Sequence, residues 1–391
     1  MLNIHLFLSP IKNESRLEKE VNSLLSRKIV DKILVFGYWK EGLEEIERRS
    51  EKFEIHRTKL PSDTTKRTGV LKKIYAYISL FAFLNRFIKF CKINKPDIIS
   101  VHNPVLLPVA YFVVKKTKAK LMYVPHELEV ERTGLKGLLK KITIWIENKY
   151  IYKCDGLTVV CEPIKEWYEN HYKIEGIGVV PNIPVNPFYN QSFQKQNLFR
   201  EEFQIPQDEI IFIYQGVLSE ARGIDDLITV FRSVDKNKHL VLMGYGEMEE
   251  ELIKISKEES NIHFKPAVLP KDIIKYSSSA DVGLFFNTKE MTLSYQYSMP
   301  NKFFEYAVGR LLIIVSDNFI EQSRLINEEK LGLTVKPVLN DLIKTINSLT
   351  KNKIEEKVQA SEEYRKLVSW KNNEGIIEDV YKGKLKLKRK G

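Results

Sequence analysis

Short apolar runs alternate with amphipathic stretches along almost the whole chain, and this rhythm restricts the fold more than any other feature. Ile4 to Leu8, Lys32 to Phe36, Asp97 to Val101, Lys120 to Val124, Gly156 to Val160 and Gly178 to Val180 read as strands. Segments of helical period such as Ser15 to Ser26 and Val105 to Lys115 lie between them. Parallel strands covered by helices on both faces are apolar without alternation, so the pattern predicts an α/β, doubly wound architecture. A second series follows: Ile210 to Tyr214, His239 to Met243, Asn261 to Lys265, Val282 to Phe286 and Leu312 to Ser316, with helices such as Asp225 to Ser233 between. Pro181, Pro184, Pro187 and the polar segment Asn190 to Asn197 separate the two series as a linker would. Two Rossmann-like domains facing each other across a cleft are therefore expected.

A length of 391 residues accommodates two such domains, and 43% hydrophobic with 29% charged residues is the balance of a packed globular protein. Cys91, Cys154 and Cys161 are too few and too scattered for a disulfide framework, and no Cys/His spacing suits a metal. A reducing compartment is the default. The start MLNIHLFLSP lacks a basic leader and reaches Pro10 at once, so it reads as a core strand and not as a signal peptide. No stretch approaches the ~18–20 uncharged apolar residues of a spanning helix. The expected location is cytoplasmic, soluble or peripheral to the inner face of the membrane. Sixty-two Lys and Arg against 51 Asp and Glu leave +11, which favours an anionic partner: nucleic acid, a phospholipid surface or a phosphorylated ligand.

Ligands of doubly wound sheets bind beyond the carboxyl ends of the strands, so the residues that follow each strand carry the functional weight. Tyr214-Gln215-Gly216 ends a strand, and Ser219 to Gly223 turns into a helix opened by Asp225 and Asp226. A turn entering a helix presents N–H groups to an anion, and Arg222 adds a fork of donors suited to phosphate. An ordinary strand-to-helix turn with a surface arginine would read the same way. Gly244-Tyr245-Gly246 either admits a ligand close to the backbone or makes a tight turn. In Ser298-Met299-Pro300-Asn301-Lys302-Phe303-Phe304-Glu305-Tyr306, Pro300 suits the first turn of a helix whose amino end would carry Lys302. Glu305, one turn in, is placed to accept from vicinal hydroxyls or merely to offset the helix dipole, and Phe303 and Phe304 suit a core. In the first half the same rule selects Ser9 to Arg16, His102-Asn103-Pro104 and His126-Glu127-Leu128. His126 could donate to a sugar hydroxyl or to a developing charge, and His102 and Asn103 could shape the same pocket.

Two basic amphipathic stretches belong to the first half. Thr65 to Lys95 interleaves Lys66, Arg67, Lys72, Lys73, Arg86, Lys89, Lys92 and Lys95 with Tyr75, Tyr77, Phe81, Phe83, Phe87 and Phe90. Gly134 to Lys153 sets Lys136, Lys140, Lys141, Lys149 and Lys153 around Leu135, Leu138, Leu139, Ile142, Ile144, Trp145 and Ile146. This is the composition of a helix lying on an anionic membrane; core aromatics under a solvated lysine face would look similar. The tail Lys382 to Lys390 reads as a frayed end with a possible headgroup contact. No recognition motif for nucleic acid accompanies the charge, so no nucleic-acid partner is expected.

Taken in order, these segments resemble the family 4 glycosyltransferases, which have the GT-B fold. Ser15 to Glu20 is similar to the family's first helix, DIISVHNP (Asp97 to Pro104) to its "DvIHaHdp", YVPHEL (Tyr123 to Leu128) to "YdaHEL" and Val179 to Asn182 to "VvPNg". YQGVLSEARG, VLMGYGEMEEEL, HFKPAVLP, SSSADVGL and SMPNKFFEYAVG follow in family order. The resemblance implies an acceptor-binding domain over 1–185, a nucleotide-sugar domain over 186–365, and helices in 366–391 that cross back to the first domain. It implies that Arg222 and Lys302 neutralise the donor diphosphate, helped by the helix start at Ser298, Pro300, Asn301 and Phe303. Glu305 would bind the ribose, Pro266, Ala267 and Val268 would border the base, and Gly216, Gly244 and Tyr245 would line the donor site. His126 would stand beside the transferred sugar as the catalytic residue, with Arg16, His102, Asn103 and Glu127 on the acceptor side. No metal or other cofactor is implied; the substrate is a nucleoside-diphosphate sugar, a UDP-sugar by preference.

Three departures mark this chain. Tyr297 stands where the family has the first carboxylate of its E-x7-E pair, Val217 replaces the usual first arginine of the diphosphate site, and the amino-terminal loop lacks a double glycine. The leading expectation is retaining transfer to a lipid-linked glycan acceptor in cell-surface polysaccharide synthesis, with an anionic membrane under the first domain. A sugar-nucleotide 2-epimerase and a non-catalytic nucleotide-sugar-binding subunit are the alternatives.

Overall fold

The computed structural model describes residues 1–12, 14–61, 69–187, 189 and 194–390, with the backbone alone over 69–73. Lys66 and Arg67 of the first basic stretch thus lie outside the described residues. The chain divides into two compact units, Met1–Pro181 with Asn373–Gly391 and Asn182–Asn372, against the expected breaks after 185 and 365.

The first unit contains strands β1 (Leu2–Leu6), β2 (Lys32–Tyr38), β3 (Ile46–Ser50), β4 (Phe53–Thr58), β5 (Ile98–Val101), β6 (Lys120–Tyr123), β7 (Gly156–Val159), β8 (Ile174–Glu175) and β9 (Ile177–Val179). Its helices are α1 (Ser15–Ser26), α2 (Gly69–Asn94), α3 (Leu107–Thr117), α4 (Gly137–Tyr150) and α5 (Glu162–Tyr172). The sheet order is β3-β4-β2-β1-β5-β6-β7-β9, parallel except where β3 returns antiparallel along β4. Strands β3 and β4 were not expected. β3 is IERRS, a charged and exposed edge strand without an apolar run, and such charges keep an open edge from pairing with other chains.

Two helices of this unit carry apolar residues outward. α2 packs Phe83, Phe87 and Cys91, spaced four apart, against the sheet, yet Ile74, Tyr77, Ile78 and Phe81 are exposed. Over Ile74–Asn94 it is long and apolar enough to cross a membrane, with a mean hydropathy of 1.3, so the expectation that no segment approaches a span is corrected. Its charged residues are confined to one end of that stretch, which is why a residue-by-residue reading missed it. α4 is inverted. Its buried residues are Thr143 and Glu147, whereas Leu138 (73% exposed), Leu139, Ile142 and Trp145 (58% exposed) form an outer stripe. Glu147 anchors it by accepting from the hydroxyls of Tyr123 (2.5 Å), Tyr168 (2.7 Å) and Tyr172 (2.6 Å). A buried carboxylate is tolerated there because three donors replace its water.

The second unit holds β10 (Ile210–Val217), β11 (Lys238–Tyr245), β12 (Ile262–Pro266), β13 (Val282–Phe285), β14 (Leu312–Ser316) and β15 (Gly332–Val335) in the order β12-β11-β10-β13-β14-β15, all parallel. Its helices are α6 (Leu198–Phe203), α7 (Ile224–Ser233), α8 (Glu249–Glu258), α9 (Ile273–Ser277), α10 (Leu293–Gln296), α11 (Asn301–Val308), α12 (Ile320–Glu328), α13 (Leu339–Ser348), α14 (Lys351–Ala360) and α15 (Glu362–Leu367). α7 shows why these segments are helices: Ile224, Leu227, Ile228 and Phe231 recur at turn spacing and bury against Phe212, Leu240 and Leu284. Emptying one such site, as in Phe231→Ala, costs about 3–5 kcal/mol.

The remaining elements, α16 (Glu374–Lys382) and β16 (Lys388–Arg389), join the first unit. Gly156 and Gly178 make room for α16, since a Cβ at either would stand 2.7 Å from Val380. The tail does not fray: β16 pairs antiparallel with β8, and Lys390 pairs with Glu169 at 3.1 Å. Backbone pairing supplies the order that its lysine-rich composition does not suggest. In both sheets strand order reverses beside the first strand, between β1 and β5 and between β10 and β13. Ligand crevices of doubly wound sheets open at such switch points.

Candidate active site

At the first switch point three histidines form one hydrogen-bonded chain. His5 lies on β1, His102 follows β5 and His126 follows β6. His5 Nδ1 is 3.0 Å from His102 Nε2, and His102 Nδ1 is 3.0 Å from His126 Nε2. Asn3 fixes the direction of the chain. Its Nδ2, which can only donate, lies 2.9 Å from His5 Nε2, and its Oδ1 lies 3.2 Å from the Ser100 hydroxyl. His5 must then carry its proton on Nδ1 and give it to His102 Nε2, and His102 does the same for His126. The result is a neutral His126 that accepts on Nε2 and presents Nδ1–H outward.

Burial keeps the rings neutral. It draws His5 down to about 3 and His126 to about 3, with the Arg16 charge assisting at His126; His102 is drawn well below the ordinary imidazole range, burial first and then its two histidine neighbours. Phe7 stacks on His102 with centroids 3.8 Å apart. Arg16, in the first turn of α1, is 4% exposed, and no acceptor meets any of its three side-chain nitrogens among the described residues. Asn103 is turned to the chain itself, its Oδ1 accepting from the Leu8 N–H at 3.0 Å. Glu127 is exposed beside His126.

The loop from β1 to α1 has no glycine pair, yet it keeps a left-handed residue. Ile11 adopts φ +53°, a conformation that costs a β-branched residue about 1–3 kcal/mol. Arg57 holds it there, donating to the carbonyls of Pro10 (2.7 Å) and Ile11 (2.8 Å) while pairing with Glu47 (2.7 Å). Neither Arg57 nor Asn3 was identified from sequence; an arginine inside the strand pattern FEIHRT and an asparagine inside NIHL were the signals available. Glu129 was missed too. Burial, then the Glu127 charge, pushes its carboxyl up to about 8.

The second unit gathers cations. Lys302 Nζ, on α11, lies 3.6 Å from the ring centroid of Tyr214, and the Arg222 guanidinium lies over Tyr295 at 4.6 Å. Burial, then the charge of Arg222, draws Lys302 well below the usual lysine range, while Glu305 opposes the shift. Two neighbouring cations on aromatic faces, with no carboxylate within ion-pair distance of Lys302 among the described residues, suit a polyanion. The main-chain donors expected around Arg222 are not free: Arg222 N–H bonds to Ser219 O at 3.0 Å and Gly223 N–H to Glu220 O at 3.1 Å. Side chains therefore supply the charge in place of the turn.

Glu305 is 8% exposed and held by Gln215, whose Nε2 donates to Oε2 at 2.5 Å. The Gln215 Oε1 accepts from Ser277 Oγ at 2.5 Å, which sets the amide's orientation. Gly216, Gly244 and Pro266 stand abreast in register across β10, β11 and β12. Their glycines differ. Gly216, at φ +128°, faces open space, whereas a Cβ on Gly244 would meet Gly216 O at 1.8 Å. Close approach at Gly244 is thus to the neighbouring strand and not to a ligand, which corrects one of the two readings of that turn. Tyr245, Pro266 and Ala267 are exposed and Val268 half-buried on the same rim. Pro300 caps α11 one residue before its first turn at Asn301, and the Ser298 hydroxyl donates to Tyr295 O at 2.8 Å. Phe303 does not line the site. Its side chain is fully buried against Phe285 and its N–H bonds to Pro300 O at 3.1 Å, because the apolar face of α11 must cover the sheet.

The family model Glycosyltransferase Family 4 matches residues 47–183, and the model Glycosyl transferases group 1 matches 195–367. No curated protein matches the chain in sequence. Among solved structures, a glycosyltransferase from Rickettsia africae superposes with TM-score 0.68 at 15% identity, covering 97% of each chain. Sucrose-phosphate synthase from Thermosynechococcus elongatus gives 0.67 at 16%, covering 97% of this chain and 95% of that one. HepE of Anabaena in complex with UDP-glucose gives 0.64 at 12%, covering 97% and 95%. At these identities the likeness establishes the GT-B fold.

Proposed function

Because this chain belongs to the family 4 glycosyltransferases, we propose that it transfers a sugar from a nucleoside diphosphate sugar, a UDP-sugar first, to a lipid-linked acceptor with retention at the anomeric carbon. The observation that carries the donor half is the pairing of Lys302 with Arg222 beside the open backbone of Gly216 and the amide-held Glu305. Two cations offset the charge on a departing diphosphate, so these side chains take the role a bound metal has elsewhere. Glu305 accepts from the ribose hydroxyls. The HepE structure with UDP-glucose supports uridine as the first base to test. His126, neutral, stands beside the transferred sugar.

An anionic membrane surface covers the first unit in this reading. The inverted helix α4 supports it: Leu138, Leu139, Ile142 and Trp145 face out, flanked by the exposed Lys136, Lys141 and Lys149. So does the outer face of α2 with Tyr77 and Phe81. Apolar residues inserted at headgroup depth with lysines on anionic lipids make an interfacial contact. The protein would then work at the inner face of the membrane, in cell-surface polysaccharide synthesis.

A thermal-shift screen against UDP-, GDP- and CMP-sugars tests the donor, since a ligand of the folded state raises its apparent stability. One nucleotide class stabilising the wild type but not Lys302→Met is the expected result; no shift with any of them would sink the reading. NMR of the product's anomeric proton decides retention. Co-sedimentation with phosphatidylglycerol vesicles, lost in Leu138→Ser/Trp145→Ser, decides the membrane contact.

A further inference from the structure

Arg16 is the one buried cation of the first unit whose charge the described residues leave unmatched by a hydrogen bond. All three nitrogens of its guanidinium lack an acceptor although the residue is 96% removed from solvent, being 4% exposed. Glu20, one turn along α1, acts on it through its charge and not through a hydrogen bond: its carboxylate accepts from the Tyr381 hydroxyl at 2.8 Å. Arg16 opens α1 just after β1, and β1, β5 and β6 are neighbours in the sheet, so it stands at the same carboxyl-end crevice as His102 and His126, on whose rings its charge acts. The histidines do not accept from it either. His5, His102 and His126 are neutral and have their acceptor nitrogens filled by Asn3, His5 and His102 in turn. Their chain ends on an outward Nδ1–H at His126, for which the described residues supply no acceptor. The cluster therefore offers a charged fork of N–H donors and an imidazole N–H, none of them bonded to an acceptor among the described residues.

We propose that Arg16 and His126 Nδ1–H form an oxyanion-binding subsite in the first unit, which takes a carboxylate or phosphate group carried by the acceptor. A planar guanidinium binds two oxygens of either group side by side, and the imidazole N–H supplies a third bond from a neutral donor. The choice of an acceptor as the carrier rests on the transferase reading; the anion site itself does not. Histidines held neutral are required for the geometry, because a protonated chain would lose the acceptors that orient His126.

The test compares wild type with Arg16→Met in sodium chloride, sodium phosphate and sodium acetate at equal ionic strength. Phosphate or acetate at about ten times its dissociation constant should raise the wild-type Tm by about 1–2 °C more than that of Arg16→Met. Whichever anion gives the larger difference identifies the group. In protein labelled with ¹⁵N-histidine, that anion should move the His126 ring signals in wild type and leave them in place in Arg16→Met. Arg16→Lys, which keeps the charge without the fork, should retain part of the shift, and serves if the methionine variant does not fold. Equal shifts in wild type and Arg16→Met would overturn the subsite. UDP binding measured on the same samples separates the two readings: its loss from wild type undoes the transferase proposal and leaves the anion result standing.

Discussion

The two units answer the same topological question with different electrostatics. Each has its first strand at the centre of a parallel sheet, and each collects its candidate functional side chains where strand order reverses. In the first unit burial removes charge from the histidines, leaving three neutral imidazoles in a directed chain beside the single cation Arg16. In the second, Lys302 and Arg222 stay close together despite their repulsion, supported by the faces of Tyr214, Phe285 and Tyr295. A shared crevice geometry thus does not dictate chemistry. The side chains after the strands decide whether it offers fixed dipoles or net charge.

The sharpest way to break this contrast is to remove charge from the second unit. Lys302→Met is expected to lower kcat/KM by about 10³-fold, because in the proposed reading its cation both holds the donor diphosphate and offsets the charge gained as that group departs. Steady-state kinetics against donor concentration checks it, and a loss under tenfold would mean that Lys302 serves the core. His126→Asn in the first unit should lower kcat by about 10²-fold with the dissociation constant for UDP nearly unchanged. If nucleotide affinity fell equally, the division of labour between the units would be wrong.

The same variant tests neutrality. The folded pKa of His126 is lowered to about 3 against an ordinary value of 6.5. Below pH 6.5 the unfolded chain takes up a proton that the folded one refuses, so wild-type stability is lost as pH falls from 6.5 towards 3. His126→Asn lacks this term. The stability of wild type relative to the variant should therefore drop on acidification, by no more than about 1.4 kcal/mol per pH unit since the ring is only half-buried. Urea denaturation at pH 7 and pH 5 measures it; a constant difference would mean an ordinary, solvated imidazole.

Much of this contrast was legible in the chain. Strands that are apolar without alternation announced both sheets, and HNP, HEL and NKFFEY stood at the ends expected of crevice residues. What could not be read was the orientation given by partners distant in sequence. Asn3 and Ser100 lie 97 positions apart, as do His5 and His102, and only the β1–β5 pairing brings them together. Nor could composition tell that α4 faces its apolar stripe outward, because that depends on three tyrosines from β6 and α5 converging on Glu147. Gly216 and Gly244 look alike in sequence and differ in what a methyl would strike. Gly244→Ala should cost several kcal/mol, the clash being with backbone, and Gly216→Ala only about 1–2 kcal/mol of conformational strain. Thermal denaturation of the pair tells the two apart.

One device recurs in both units in spite of their electrostatic difference. A side-chain amide on the central strand, Asn3 on β1 and Gln215 on β10, has its oxygen beside a serine hydroxyl and donates from its nitrogen. Gln215 gives that bond directly to the carboxylate of Glu305, the proposed ribose contact, whereas Asn3 acts on His126 through two intervening rings. The distance from amide to working group sets the expected size of the effect. Gln215→Leu leaves Glu305 free to rotate away from the ribose and should weaken UDP binding about tenfold, a loss of one charged hydrogen bond. The 2′-deoxy nucleotide, which has no full diol to recognise, should lose less. Asn3→Leu removes only the preference for one tautomer, since His5 can still bond to His102 in either sense, and should lower kcat about threefold with UDP affinity unchanged. Calorimetry with both nucleotides and turnover measured on both variants orders these effects. An Asn3 effect as large as that of Gln215 would show that the histidine chain responds as one rigid body, and would make the neutral site of the first unit the more tightly coupled of the two.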